Sequence, residues 1–127
     1  MRSRLPRLLP IGIAAVLLTV CTASNAAADG TRCTSDANCA GKVTFTSYGE
    51  VFKIYDQSAD GHSAVGVYWL PDGSSHVMWN PNGNGSVVTV NLELAEGSWV
   101  TYRACLGEYG TKTLVSGSCG PTITDYA

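Results

Sequence analysis

The stretch "SVVTVNLEL" (residues 86–94) decides the fold. Val88, Val90, Leu92 and Leu94 fall on one side of an extended chain, with Thr89, Asn91 and Glu93 on the other. Side chains of a strand alternate between its faces, so this pattern predicts a strand with one buried and one wet face. The same period runs outward in both directions. "VTFTSY" (43–48) sets Val43 and Phe45 against Thr44 and Thr46, and "EVFKIYDQ" (50–57) puts Phe52 and Ile54 together. "SAVGVYWL" (63–70) aligns Val65, Val67 and Trp69, and "SHVMWN" (75–80) aligns Val77 and Trp79. "SWVTYRACL" (98–106) gathers Val100, Tyr102, Ala104 and Leu106, and "TKTLVSGS" (111–118) is the candidate for a last strand. The gaps "ADGH", "PDGS", "NPNGNG" and "AEGS" place Gly after Asp, Asn or Glu, the chemistry of tight turns. No helical period follows residue 28. The expectation is an all-β fold, a small antiparallel β-sandwich of six to seven strands with two disulfides.

The chain opens with Arg2, Arg4 and Arg7, then an apolar run over residues 11–20, then small residues ending at Ala26, Ala27 and Ala28. That order predicts a secretory signal over residues 1–28 with Asp29 as the new N-terminus. The run of about 10 residues is short of the ~20 that a membrane span needs. Val20 is bulky where a lipoprotein signal carries a small residue before its cysteine, here Cys21. The protein is therefore expected to be secreted and extracellular, with no membrane attachment after cleavage. Beyond residue 28 five basic residues (Arg32, Lys42, Lys53, Arg103, Lys112) face ten acidic ones, a formal charge of −5. Such a surface repels phosphate backbones and argues against nucleic acid as a partner.

Cys33, Cys39, Cys105 and Cys119 remain after cleavage. An even count in a small secreted domain reads as two disulfides, and three pairings are open. We favour Cys33–Cys39 and Cys105–Cys119, because each pair flanks a turn-rich stretch. The cysteines lack the paired C-x-x-C units of a zinc site, and no metal or cofactor is expected. Residues 29–41 are polar and without alternation, so they read as an N-terminal extension held by its cysteines, ahead of a β-sandwich domain over 42–127.

Candidate chemistry is sparse. His62 and His76 are the only histidines, and Ser63, Ser74 and Ser75 lie beside them without a nucleophile-elbow motif. Both histidines read as turn or surface residues. Asp56 with Asp60, and Glu93 with Glu96, could pair for glycoside hydrolysis, but they sit at strand ends in a domain too small for a deep cleft. "DQSADGH" lacks the spaced ligands of a calcium loop and reads as an Asp-stabilised turn. "NGS" at 84–86 fits a glycosylation sequon but is read as a turn. No catalytic residues are assigned, and the protein is expected not to be an enzyme. Trp69 and Trp99 read as core. Trp79, beside Asn80 and Asn82, reads equally as core or as a sugar-stacking surface.

"KVTF" (42–45), "GEVFKIYDQSADGHSAVGVYW" (49–69), "VNLELAEGSWVTYRACLGE" (90–108) and "SCG" (118–120) resemble a group of small secreted proteins of Streptomyces and related actinobacteria. In size, strand content and stapled N-terminus the chain is similar to the adaptor subunit of umbrella toxin particles, which are secreted antibacterial assemblies. That resemblance implies a β-domain joining a lectin-like subunit to a large toxin-bearing subunit, with its N-terminal segment entering a groove of the first partner. Carried over here, the partner-binding residues would be Asp29, Gly30, Thr31, Arg32, Thr34, Ser35, Asp36, Ala37 and Asn38. The chain also resembles the small two-disulfide α-amylase inhibitors of Streptomyces. Their Trp-Arg-Tyr triplet is missing here; "VYW" and "TYR" are the nearest segments. The expected function is a non-enzymatic protein-binding module, with a hydrolase inhibitor or a small carbohydrate-binding module as alternatives.

Overall fold

The computed structural model describes residues 29–127; the leader read over 1–28 lies outside the described residues. Nine strands follow in order: β1 (Gly30–Cys33), β2 (Gly41–Thr46), β3 (Val51–Asp56), β4 (Ser63–Trp69), β5 (Ser75–Asn80), β6 (Val87–Asn91), β7 (Trp99–Glu108), β8 (Thr113–Leu114) and β9 (Ile123–Tyr126). All pairings are antiparallel. The first sheet runs β1-β2-β3-β6; the second runs β5-β4-β7, with β8 and β9 pairing different halves of the long β7. The small all-β fold is the one the alternation predicts. The two additional strands are β1 and β9, each four residues long, too short for a period to show in the sequence.

The sheets stack face to face, with β2 and β3 over β4, and β1 and β2 over β7. Val43, Phe45, Phe52 and Ile54 from the first sheet meet Ala64, Tyr68, Met78, Val100, Tyr102 and Ala104 from the second. Phe52 sits at the centre, 4.9 Å from Phe45, 5.3 Å from Tyr68 and 5.1 Å from Tyr102 between ring centroids. These are the offset and edge contacts that aromatic quadrupoles favour. Val90, Leu92 and Leu94 of the deciding stretch close one flank of this core.

Two polar devices are built into the interior. The Tyr102 hydroxyl donates to Asp125 Oδ2 at 2.6 Å, and both residues are buried. Burial, reinforced by that carboxylate, raises the Tyr102 pKa far above its ordinary value. Gly30 of β1 lies against this pair, where any side chain would collide with the Tyr102 hydroxyl and the Asp125 carboxylate. Asn80 is the second device. Its amide donates to the carbonyls of Ile54 (2.9 Å) and Ser86 (3.1 Å), and its oxygen accepts from the Ser86 hydroxyl and the Asn82 N–H. It thereby ties β5 to the first sheet. The disulfides are Cys33–Cys39, closing the loop after β1, and Cys105–Cys119, joining β7 to the segment before β9.

Candidate binding face

β4 has no wet side. Its burial is continuous from Ala64 to Tyr68. Ala64 and Tyr68 point into the sandwich, while Val65, Val67 and Trp69 point outward. Strand pairing extends this outer face into rows: Trp79–Val65–Cys105, Val77–Val67–Arg103, Ser75–Trp69–Thr101–Thr124, and Trp99–Tyr126. Val65, Val67 and Cys105 form a second apolar cluster, with Trp69, Trp79 and Cys119 packed on it. All three tryptophans of the chain therefore share one face. Trp99 is 37% exposed, Val77 48% and Tyr126 55%.

Gly107 lets the Trp79 ring approach β7 closely: a Cβ there would come within 2.6 Å of the ring. The edge of Tyr109 meets Trp79 at 5.9 Å. Lys112 has a positive φ (54°) in the turn after β7, and its Nζ lies over the Tyr109 ring and 5.3 Å from the centre of Trp79. Arg103 lies over Trp69 at 5.3 Å, and its Nε is buried without a hydrogen-bond partner. The strand rows of this face carry no carboxylate. An acidic molecule thus presents a face that is aromatic, apolar and, at Arg103 and Lys112, cationic. Trp, Tyr and Arg are the residues that dominate binding energy at protein interfaces.

The expected sites are placed differently. Trp79 lies on this face, but Asn80, one residue on, is fully buried and its side-chain hydrogen bonds are filled. Asn82 donates its backbone N–H to Asn80. The ligand surface read over Trp79, Asn80 and Asn82 is therefore not one surface: strand alternation sends 79 out and 80 in. Trp99, read as core, is exposed because Val100 takes the inward position beside it.

The N-terminal segment is also corrected. Gly30, Thr31, Arg32 and Cys33 pair with Phe45, Thr44, Val43 and Lys42, so they form a strand of the sandwich and not an extension held only by cysteines. Asp29 accepts from the Ser47 N–H at 3.1 Å. Thr34 is buried, and Ser35 bonds to Gly117 and Ser118. Asp36 accepts from the Thr34 hydroxyl and from the N–H groups of Asn38 and Ala40, which holds its pKa below the ordinary value, the Thr34 bond contributing most. Asp36, Ala37 and Asn38 are exposed at the tip of the Cys33–Cys39 loop.

The histidines lie apart from this face's tryptophans. The His62 ring contacts Glu108. It lines, with Asp56, Ser58, Ser63, Pro81 and Asn84, an open hollow of about 270 Å³. Burial raises the pKa of Asp56 there. His76 stacks on Tyr68 and meets the Ser74 hydroxyl at 3.0 Å. That hydroxyl donates to Asp72 at 2.6 Å, so its proton points at the carboxylate and not at the imidazole. A relay needs the opposite order, with the carboxylate orienting the histidine. The Asp60 carboxylate accepts from the His62 N–H and so caps the turn there.

Sequence reasoning missed Arg103, Lys112 and Tyr109 as members of a surface. The available signal was "SAVGVYWL", an apolar run without polar alternation, which marks a strand covered on both faces. No family model, no curated protein and no solved structure matches the chain.

Proposed function

We propose that this protein is a non-enzymatic module that works outside the cell by binding other proteins, and that the outer face of β5-β4-β7-β9 is its docking surface. The observation that carries this reading is the gathering of Trp69, Trp79 and Trp99 with Arg103 on one outer face, where Val77, Trp99 and Tyr126 are exposed. Trp69 and Trp79 cover the second apolar cluster, but that covering does not call for Trp99, which stays exposed with Val77 and Tyr126 on the same face. The partner is a secreted protein whose contact patch is apolar at its centre and carries carboxylates opposite Arg103 and Lys112. That charge pattern complements the two cations and is repelled by the rest of this acidic molecule.

The resemblance to umbrella toxin adaptors supports an adaptor role between a lectin-like and a toxin-bearing subunit. In that role the loop tip at Asp36, Ala37 and Asn38, and not β1, is the part of the N-terminal segment free to touch a second partner. Two disulfides fit an oxidising compartment, which agrees with secretion.

A photo-reactive phenylalanine in place of Val77, on the aromatic face, tests the docking surface against the same group in place of Lys53, on the opposite face. Illumination in the producer's culture fluid is expected to give one adduct of fixed mass from position 77 and none from 53. Equal labelling from both positions would overturn the assignment. An adduct with a single hydrolase whose activity falls on binding would establish an inhibitor instead.

A further inference from the structure

We propose that the open edge of β6 is a self-pairing site that joins two copies of this chain antiparallel about Thr89. β6 ends the first sheet and pairs only with β3. Hydrogen bonds at the two ends of that ladder set its parity: the Asp56 N–H donates to the Ser86 carbonyl at 3.1 Å, and the Leu92 N–H to the Glu50 carbonyl at 2.9 Å. Residues 86, 88, 90 and 92 therefore bond to β3. In an antiparallel ladder the alternate residues, Val87, Thr89 and Asn91, direct their N–H and C=O groups away from it. No backbone or side-chain group of the described residues meets them.

Sheet edges are usually guarded by charge, proline or shortness. The opposite side of this sandwich follows that rule: β1 carries Arg32, β8 has two residues, and β9 sends Asp125 inward. β6 reads "VVTVN", with no charge and no proline. A second copy fits it register by register. Pairing Thr89 with its own mate sets Val87 against Asn91 and Val88 against Val90, giving β-branched pairs at the dyad and on the inner face and no like charges across it. The β5 edge also has free backbone groups, but self-pairing there about Val77 sets bulky Trp79 against Ser75 at both ends. A contact of two five-residue strands is smaller than a permanent dimer interface, so the association is weak and concentration-dependent.

The test is sedimentation velocity on the secreted protein across micromolar to millimolar concentration. The wild type is expected to pass from one copy to two. Thr89→Lys, which faces its own mate across the dyad, is expected to stay monomeric, as is Thr89→Glu. An equimolar mixture of the two is expected to restore a one-to-one dimer, which also shows that both variants are folded. A wild type that remains monomeric throughout, or a Thr89→Lys chain that dimerises like the wild type, would overturn the proposal.

Discussion

The two outer faces of this sandwich obey the same alternation and carry opposite cargoes. On the first sheet the outward residues include Lys42, Thr44, Lys53, Tyr55, Thr89 and Asn91, a polar surface on which Lys42 rests over the Tyr55 ring at 4.3 Å. On the second sheet the same positions hold Val65, Val67, Trp69, Val77, Trp79, Trp99 and Arg103. Both sheets bury their inner faces in one shared core, and that core is what holds the fold. On the second sheet Trp69 and Trp79 also cover a second apolar cluster of Val65, Val67 and Cys105, yet Val77, Trp99 and Tyr126 stay exposed beside it. Exposed aromatic and apolar side chains gathered on one face are the kind of feature that marks an interaction site.

The largest effect is expected where the two faces share their support. Phe52→Ala removes the ring at the centre of the core and should cost about 3–5 kcal/mol in denaturant unfolding, disabling both faces together. Tyr102→Phe leaves the buried Asp125 carboxylate without its donor and should cost about 2–3 kcal/mol by the same assay. Trp69→Ala sharpens the contrast. It should weaken partner binding by at least about 2 kcal/mol, roughly thirtyfold, read by titration calorimetry, while the near-native circular dichroism spectrum persists.

Asp36→Asn probes the loop tip and its pH dependence. The folded-state pKa of Asp36 lies below its unfolded value, so the stability it lends is complete above the unfolded value and is lost as pH falls through the folded one. The stability difference between wild type and Asp36→Asn should therefore shrink in acid, measured as melting temperature against pH. Lys53→Ala should do least: on the polar face it is expected to change stability by less than about 0.5 kcal/mol and binding not at all.

The alternating segments made the sandwich legible, because Phe45, Phe52, Ile54, Val100 and Tyr102 announce an inner face by period alone. β1 and β9 were hidden for a physical reason. Each holds four residues, and their roles rest on Gly30 under Tyr102 and on the single inward Asp125, neither of which is a pattern. The aromatic face was half visible. Trp69 and Trp79 share the parity of Val65, Val67 and Val77, but which side of a sheet looks inward depends on its partner sheet. Arg103 and Lys112 reach the tryptophans only through strand pairing and the turn after β7.

The most direct test is a side-by-side capture from the culture fluid of the producing organism, using tagged wild type, Trp69→Ala and Lys53→Ala, read by quantitative mass spectrometry. The wild type and Lys53→Ala should recover the same secreted protein in the same fixed ratio, and Trp69→Ala should lose it. Equal recovery by all three, or loss with Lys53→Ala alone, would contradict a docking surface on the aromatic face.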